Sequence, residues 1–361
     1  MLTSTAGDDM NWISTLTSRR GGRVVVVLVL LLLPFACFLP WILVTGPAGY
    51  GYQLGIVSKF NLHGLTDATT FPAPAGKALA EAKPGGVADP GGQRDLLLTR
   101  EAANRLNSLA ATALLIFVTV GAGIYGWMVA CRVSGEPGDR TLFGLAGVIA
   151  LALLCMVWPD PDHPVYGLLG DRVFELTIGT IYGGTPLDVL KHQQIVNNFV
   201  LVVAGVGLAF AAALVAVRAS RIGRGSNVET YIELKHYLDR ILVASALMLA
   251  AGVIDLKQWT ALPVPFMADT NLAAAYTSFV GGFVSLQSIC YVAGLVMMFV
   301  PAAWLLNGAR ERLVHGVPPE EAAAKVPPGG FVPADFLRIA AMLAPILVGP
   351  VANFVNLRAA F

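Results

Sequence analysis

Apolar residues gather along the chain into seven long stretches, at 24–44, 109–131, 142–158, 195–217, 241–254, 273–306 and 336–355, with polar segments between them. A helix that crosses a bilayer needs about 20 mostly apolar residues. The pattern therefore predicts an all-α polytopic membrane protein: a bundle of about seven transmembrane helices with one outer loop region of about 60 residues, at 45–108. The stretch at 273–306 is the longest, and polar side chains, Gln287 and Ser288, sit at its centre. Ahead of them Ser278, Gly281, Gly282 and Ser285 recur at spacings of three and four, the pattern that lets a second helix approach closely. This stretch is expected to be the centre of the bundle. Small residues at similar spacing also mark 109–131, with Ala122 and Gly126, and 195–217, with Gly205, Ala209 and Ala213.

The polar segments have their own signals. Residues 1–23 form a leader that ends in Arg19, Arg20 and Arg23. The run at 24–44 exceeds the usual length of a signal-peptide core and is followed by no clean cleavage site, so it reads as a retained first helix. Residues 109–361 then hold the six-helix part. Within it, Ser226-Asn227-Val228-Glu229 is a capping box. It opens an amphipathic helix at 227–240, expected on the cytoplasmic membrane surface, with Val228, Tyr231, Ile232, Leu238 and Ile241 on one face. Pro and Gly mark a linker at 317–333. The segment 173–182 is rich in β-branched and aromatic residues and reads equally as an interfacial element, a re-entrant element or a short strand.

Composition sharpens the class. Hydrophobic residues make up 56% of the 361 and charged residues only 13%, with a mean hydropathy of +0.68, against about 25% charged residues in soluble domains. A net charge of +1 supplies no nucleic-acid surface; the lipid bilayer is the expected partner. Arginine outnumbers lysine 17 to 7, a composition compatible with a bacterial plasma membrane. Four cysteines lie in or beside apolar runs and suggest neither a disulfide framework nor a zinc site.

Candidate chemistry is sparse. His63, His163, His192, His236 and His315 fall in separate polar segments, with no HExxH motif and no paired CxxC. No catalytic residue, metal or cofactor is expected. Asp255, followed closely by Lys257 and Trp259, reads as the interfacial end of its stretch. That leaves no ionisable group near the middle of a span, which counts against an ion-coupled carrier. The polar side chains within the spans are Gln287, Ser288, Ser285, Ser278, Asn197, Asn198 and Asn353, whose ordinary role is hydrogen bonding between helices. The expected function is non-enzymatic: a membrane subunit or scaffold that packs against partner proteins or copies of itself. A channel or facilitator for a small neutral solute is the alternative, and an intramembrane enzyme ranks third.

Cytoplasmic loops collect Lys and Arg. With a cytoplasmic amino terminus and an extracytoplasmic carboxyl terminus, 14 of the 24 basic residues fall inside, among them Arg132, Arg218, Arg221, Arg310 and Arg312. Reporter tags at Gly135, Gly225 and Gly329 are accordingly predicted to be cytoplasmic and tags at Gly86 and Ala360 external. An external tag at Gly225 would overturn this topology.

Overall fold

The computed structural model describes residues 90–135, 142, 144–152, 174, 184–223, 228–266, 270–315, 326 and 343–345. The leader, the stretch at 24–44, residue Asn353 and most of the segment 173–182, the linker 317–333 and the stretch at 336–355 lie outside them. Four long helices make up the frame: α1 (Pro90–Val133), α2 (Gly184–Arg221), α3 (Val228–Thr260) and α4 (Thr270–Val314), with a single 3-10 turn at Val264–Phe266 between α3 and α4. Each contains a segment long and apolar enough to cross a membrane, at Ala102–Val133, His192–Arg221, Val228–Thr260 and Ala273–Val314. These correspond to the second, fourth, fifth and sixth apolar stretches. Residues 144–152 of the third are also helical.

The contacts give the helices their directions. Thr112 of α1 meets Gln193 of α2 at one end of the bundle, and at the other Arg218 of α2 donates to the Val133 carbonyl of α1. The two helices therefore run parallel. Tyr276, near the start of α4, donates to the carbonyl of Thr260 at the end of α3, while Arg312 near the end of α4 reaches the last turn of α2. Thus α1, α2 and α4 point one way and α3 runs back between them.

Among the described helices the most enclosed is α2, not the long stretch expected to organise the bundle. In α2 72% of the apolar window is buried, against 50% in α4. Every residue from Leu208 to Val217 is buried, on all sides of the helix, as a fully enclosed helix requires. Lipid tails are as apolar as leucine, so close packing and hydrogen bonds, rather than the hydrophobic effect, hold such helices together. Packing is closest between α1 and α2. A Cβ placed on Gly126 would lie 2.8 Å from the Leu208 nitrogen and 2.9 Å from the Gly207 carbonyl carbon. One turn away, a Cβ on Gly123 would lie 3.0 Å from that of Ala204. Gly207 in turn leaves room for the Trp127 ring, whose Nε1 donates to the Val203 carbonyl at 3.3 Å.

The small-residue ridge of α4 behaves differently. Nothing lies within 4 Å of where a Cβ would stand on Gly281 or Gly282, and Ser278 and Ser285 are exposed. Among the described residues the ridge makes no close helix contact. α4 also stays one helix through Gly281, Gly282 and Pro301. At about 1.5 Å per residue it is far longer than the hydrocarbon layer is thick, so it projects rather than breaks.

The amphipathic segment at 227–240 differs from expectation too. α3 is continuous from Val228 to Thr260, and Tyr231, Leu234, Leu238 and Ile241 join the same core as α2 residues 208–217 and α4 residues Leu305, Leu306 and Ala309. The apolar face that suggested a membrane surface is covered by protein instead. At this end Arg312 donates from Nε to the Ile222 carbonyl at 2.7 Å and from a terminal nitrogen to the Ala219 carbonyl at 3.1 Å, which also accepts from the Ile222 N–H at 3.2 Å, tying α4 to the chain at the end of α2.

Gly126→Leu is predicted to prevent folding or assembly of the bundle, and even Gly126→Ala should cost about 1–3 kcal/mol through overpacking against backbone. Gly282→Leu should leave the melting temperature of detergent-purified protein unchanged. Equal losses from Gly126→Leu and Gly282→Leu would contradict this arrangement.

Candidate functional site: a carboxylate shared by three helices

Where α1, α2 and α3 meet near one end of the bundle, four polar side chains converge. Gln193 of α2 donates from Nε2 to the Thr112 hydroxyl of α1 at 2.7 Å. An amide nitrogen can only donate, so that hydroxyl accepts here and turns its own hydrogen to Asp255 Oδ1 of α3, 2.6 Å away. Asn197 Nδ2 donates to the other carboxylate oxygen, Oδ2, at 3.2 Å. Gln193 and Asn197 are one helical turn apart and therefore share a face of α2. The α1–α2 register does the rest: Thr112 lies 81 positions before Gln193, as Gly126 lies 81 before Gly207.

Thr112, Asn197 and Asp255 are all buried. Asp255 stands five residues before the end of α3, about 8 Å along the axis. The helix carries on past it through Trp259, which stacks on Phe174 with ring centroids 4.5 Å apart, and Thr260, which is fully buried. Tyr276 of α4 donates to the Thr260 carbonyl at 3.1 Å, and Asn104 of α1 to the Ala261 carbonyl at 3.3 Å. The helix end beyond Asp255 is thus held by protein contacts on several sides.

Both hydrogen bonds to Asp255 come from neutral groups, and among the described residues no cationic side chain pairs with it. Lys257 lies two positions on, about 200° around the helix, and does not face it. A buried carboxylate without a counter-charge is costly. The Asn197 amide adds a second feature: its Oδ1 is buried and has no hydrogen-bond partner. The two oxygens of Asp255, the Thr112 hydroxyl and this free amide oxygen form a neutral-walled, oxygen-rich cluster suited to a small hard cation.

The remaining candidate residues separate into groups. Gln287 is buried with Oε1 unpartnered, and buried Ser288 donates to the Val284 carbonyl of its own helix at 2.8 Å. Ser285 likewise donates back to Gly281, at 2.8 Å, so neither serine hydroxyl donates across to another helix. Asn198 is half-buried. Ala122, Ala209 and Ala213 are buried in the core, and Gly205 has only ordinary contact with Met248, at 3.8 Å. Of the described polar candidates named from sequence, Asn197 alone enters the carboxylate cluster. Asp255, Thr112 and Gln193 were missed as partners. The available signal was the pair of amides four apart on 193–197, facing an apolar stretch that ends in an aspartate. Among the described residues no three His, Cys, Asp or Glu side chains are grouped as metal ligands.

Among the described residues the protein is thus all-helical, with four helices long and apolar enough to cross a membrane. Comparison with protein-family models, curated proteins and solved structures finds no match to it.

Proposed function

We propose that the chain is a carrier in a bacterial plasma membrane, with a cytoplasmic amino terminus, and that it takes up a small monovalent cation at Asp255 on the outward side of the bundle. The observation that carries this reading is a buried carboxylate held by two neutral donors beside an unpartnered amide oxygen. Ionisable groups inside membrane bundles are rare and mark ion or substrate paths. The solid core at residues 208–217 of α2 favours an alternating carrier over a continuously open pore. The cation is Na+ or a proton, and one experiment distinguishes them. Purified protein is melted in Na+ or choline at fixed pH, and then across pH in choline, alongside Asp255→Asn. Binding to the folded form alone stabilises by about 2.7 kcal/mol at a hundred times Kd. A rise with Na+ that is lost in Asp255→Asn identifies a sodium site; a pH dependence lost in the same variant identifies a proton site. Identical responses of the wild type and Asp255→Asn to both would overturn the proposal.

A second reading, assembly with copies of itself, is favoured by one face of α4. Ser278, Gly282 and Ser285 at one end, and Ile289, Val296, Val300 and Trp304 along the rest, are all exposed on it. Ser278→Cys should then form a disulfide-linked dimer in oxidised membranes, and Gly282→Leu in the same background should abolish it. A Ser278→Cys protein that stays monomeric would rule this face out as a self-interface.

A further inference from the structure

At the opposite end of the bundle from Asp255, an open cavity of about 390 Å³ lies between the last turn of α1 and the first half of α3. Arg132 supplies the α1 side, and Glu229, Glu233, His236, Tyr237 and Arg240 supply the α3 side. These α3 positions recur at spacings of three and four and so form one stripe. The order of charge along the stripe is the informative feature. Glu229 and Glu233 stand nearest the start of the helix, His236 and Arg240 come next, and beyond Arg240 the same face continues with Val243 and Leu247, which are 49% and 56% exposed. α1 repeats the ending: Ile124 and Met128, 65% and 39% exposed, precede Arg132 at four-residue steps.

From water toward hydrocarbon the groove therefore presents carboxylates, then His236 and the arginines Arg132 and Arg240, then bare aliphatic side chains. A phospholipid with an amine headgroup presents the complementary order: ammonium, phosphate, acyl chain. The geometry points to a binding site for one such lipid, of the phosphatidylethanolamine class, lying between α1 and α3. Its phosphate sits between Arg132 and Arg240, where guanidinium groups match phosphate oxygens. Its ammonium meets Glu233, and an acyl chain follows Val243 and Leu247. Tyr237 donates to Glu233 Oε1 at 2.6 Å, holding that carboxylate in place with its second oxygen available. Free inorganic phosphate would gain the arginines but meet the carboxylates as like charges. Phosphatidylglycerol would leave Glu233 without a counter-charge. The site thus selects an amine lipid over both.

The test uses the full chain in detergent, titrated with phosphatidylethanolamine, phosphatidylglycerol or inorganic phosphate and read by native mass spectrometry. Phosphatidylethanolamine is expected to bind about tenfold more tightly than phosphatidylglycerol, the scale of one charged hydrogen bond. Arg240→Gln should weaken both lipids. Glu233→Gln, which still accepts from Tyr237, should remove the preference while retaining phosphatidylglycerol binding. Both side chains are exposed, so the variants should fold. Equal or weaker binding of phosphatidylethanolamine, retention of inorganic phosphate at the same strength, or a preference unchanged in Glu233→Gln would each overturn the site.

Discussion

The backbone contact of α1 with α2 at Gly126 and Gly207 is the constraint on which the rest depends. With no side chain between them, the helices cannot slide by a residue without driving a Cβ into main chain, so the register of the parallel pair is locked. The same lock acts fourteen residues earlier along both helices, where it sets Thr112 opposite Gln193 and one turn from Asn197. The polar cluster is thus a consequence of steric exclusion in the apolar middle of the bundle. Asp255 arrives on α3, whose long contacts with both helices leave its carboxylate between them.

Much of the architecture was legible in the chain because helix ends and apolar length are local properties. The stretches around 109–131, 195–217 and 273–306 each stand out by length alone, and each falls within a long helix. Pairing is not local. The small residues of 122–126, of 205–213 and of 278–285 look alike in sequence, yet one set meets a facing backbone and another meets open space. What distinguishes them is the partner: α2 offers Gly207 and Ala204 at matching height, and no described helix offers anything to Gly282. The surroundings of Asp255 are non-local for the same reason. Read linearly, it ends an apolar run and is followed by Lys257 and Trp259, the usual marks of an interface. Its hydrogen-bond partners, Thr112 and Asn197, come from segments 143 and 58 positions away. The amphipathic pattern of 227–240 defines a stripe, but periodicity cannot say whether lipid or protein covers it.

The two ends of the bundle are built from different polar chemistry. One is closed over a carboxylate by neutral hydrogen bonds; the other is rich in arginine and open to the groove between α1 and α3. Between them the alanine- and valine-rich wall of α2 permits close packing with little room for rearrangement. The glycine contact holds the α1–α2 pair together more closely than either helix is held to α3 or α4.

Arg312 illustrates how one side chain can answer to two selective pressures at once. As a positive charge at a helix end it is of the kind that biases membrane orientation; as a planar fork it gathers two carbonyls at the end of α2. Lysine would satisfy the first demand and not the second, because a single ammonium has no fixed pair of parallel donors. An arginine-to-lysine exchange there would leave the insertion pattern intact and still loosen α2 from α4. Positive charge read as topology alone therefore understates what arginine contributes, and orientation assays and stability assays on such a variant would disagree.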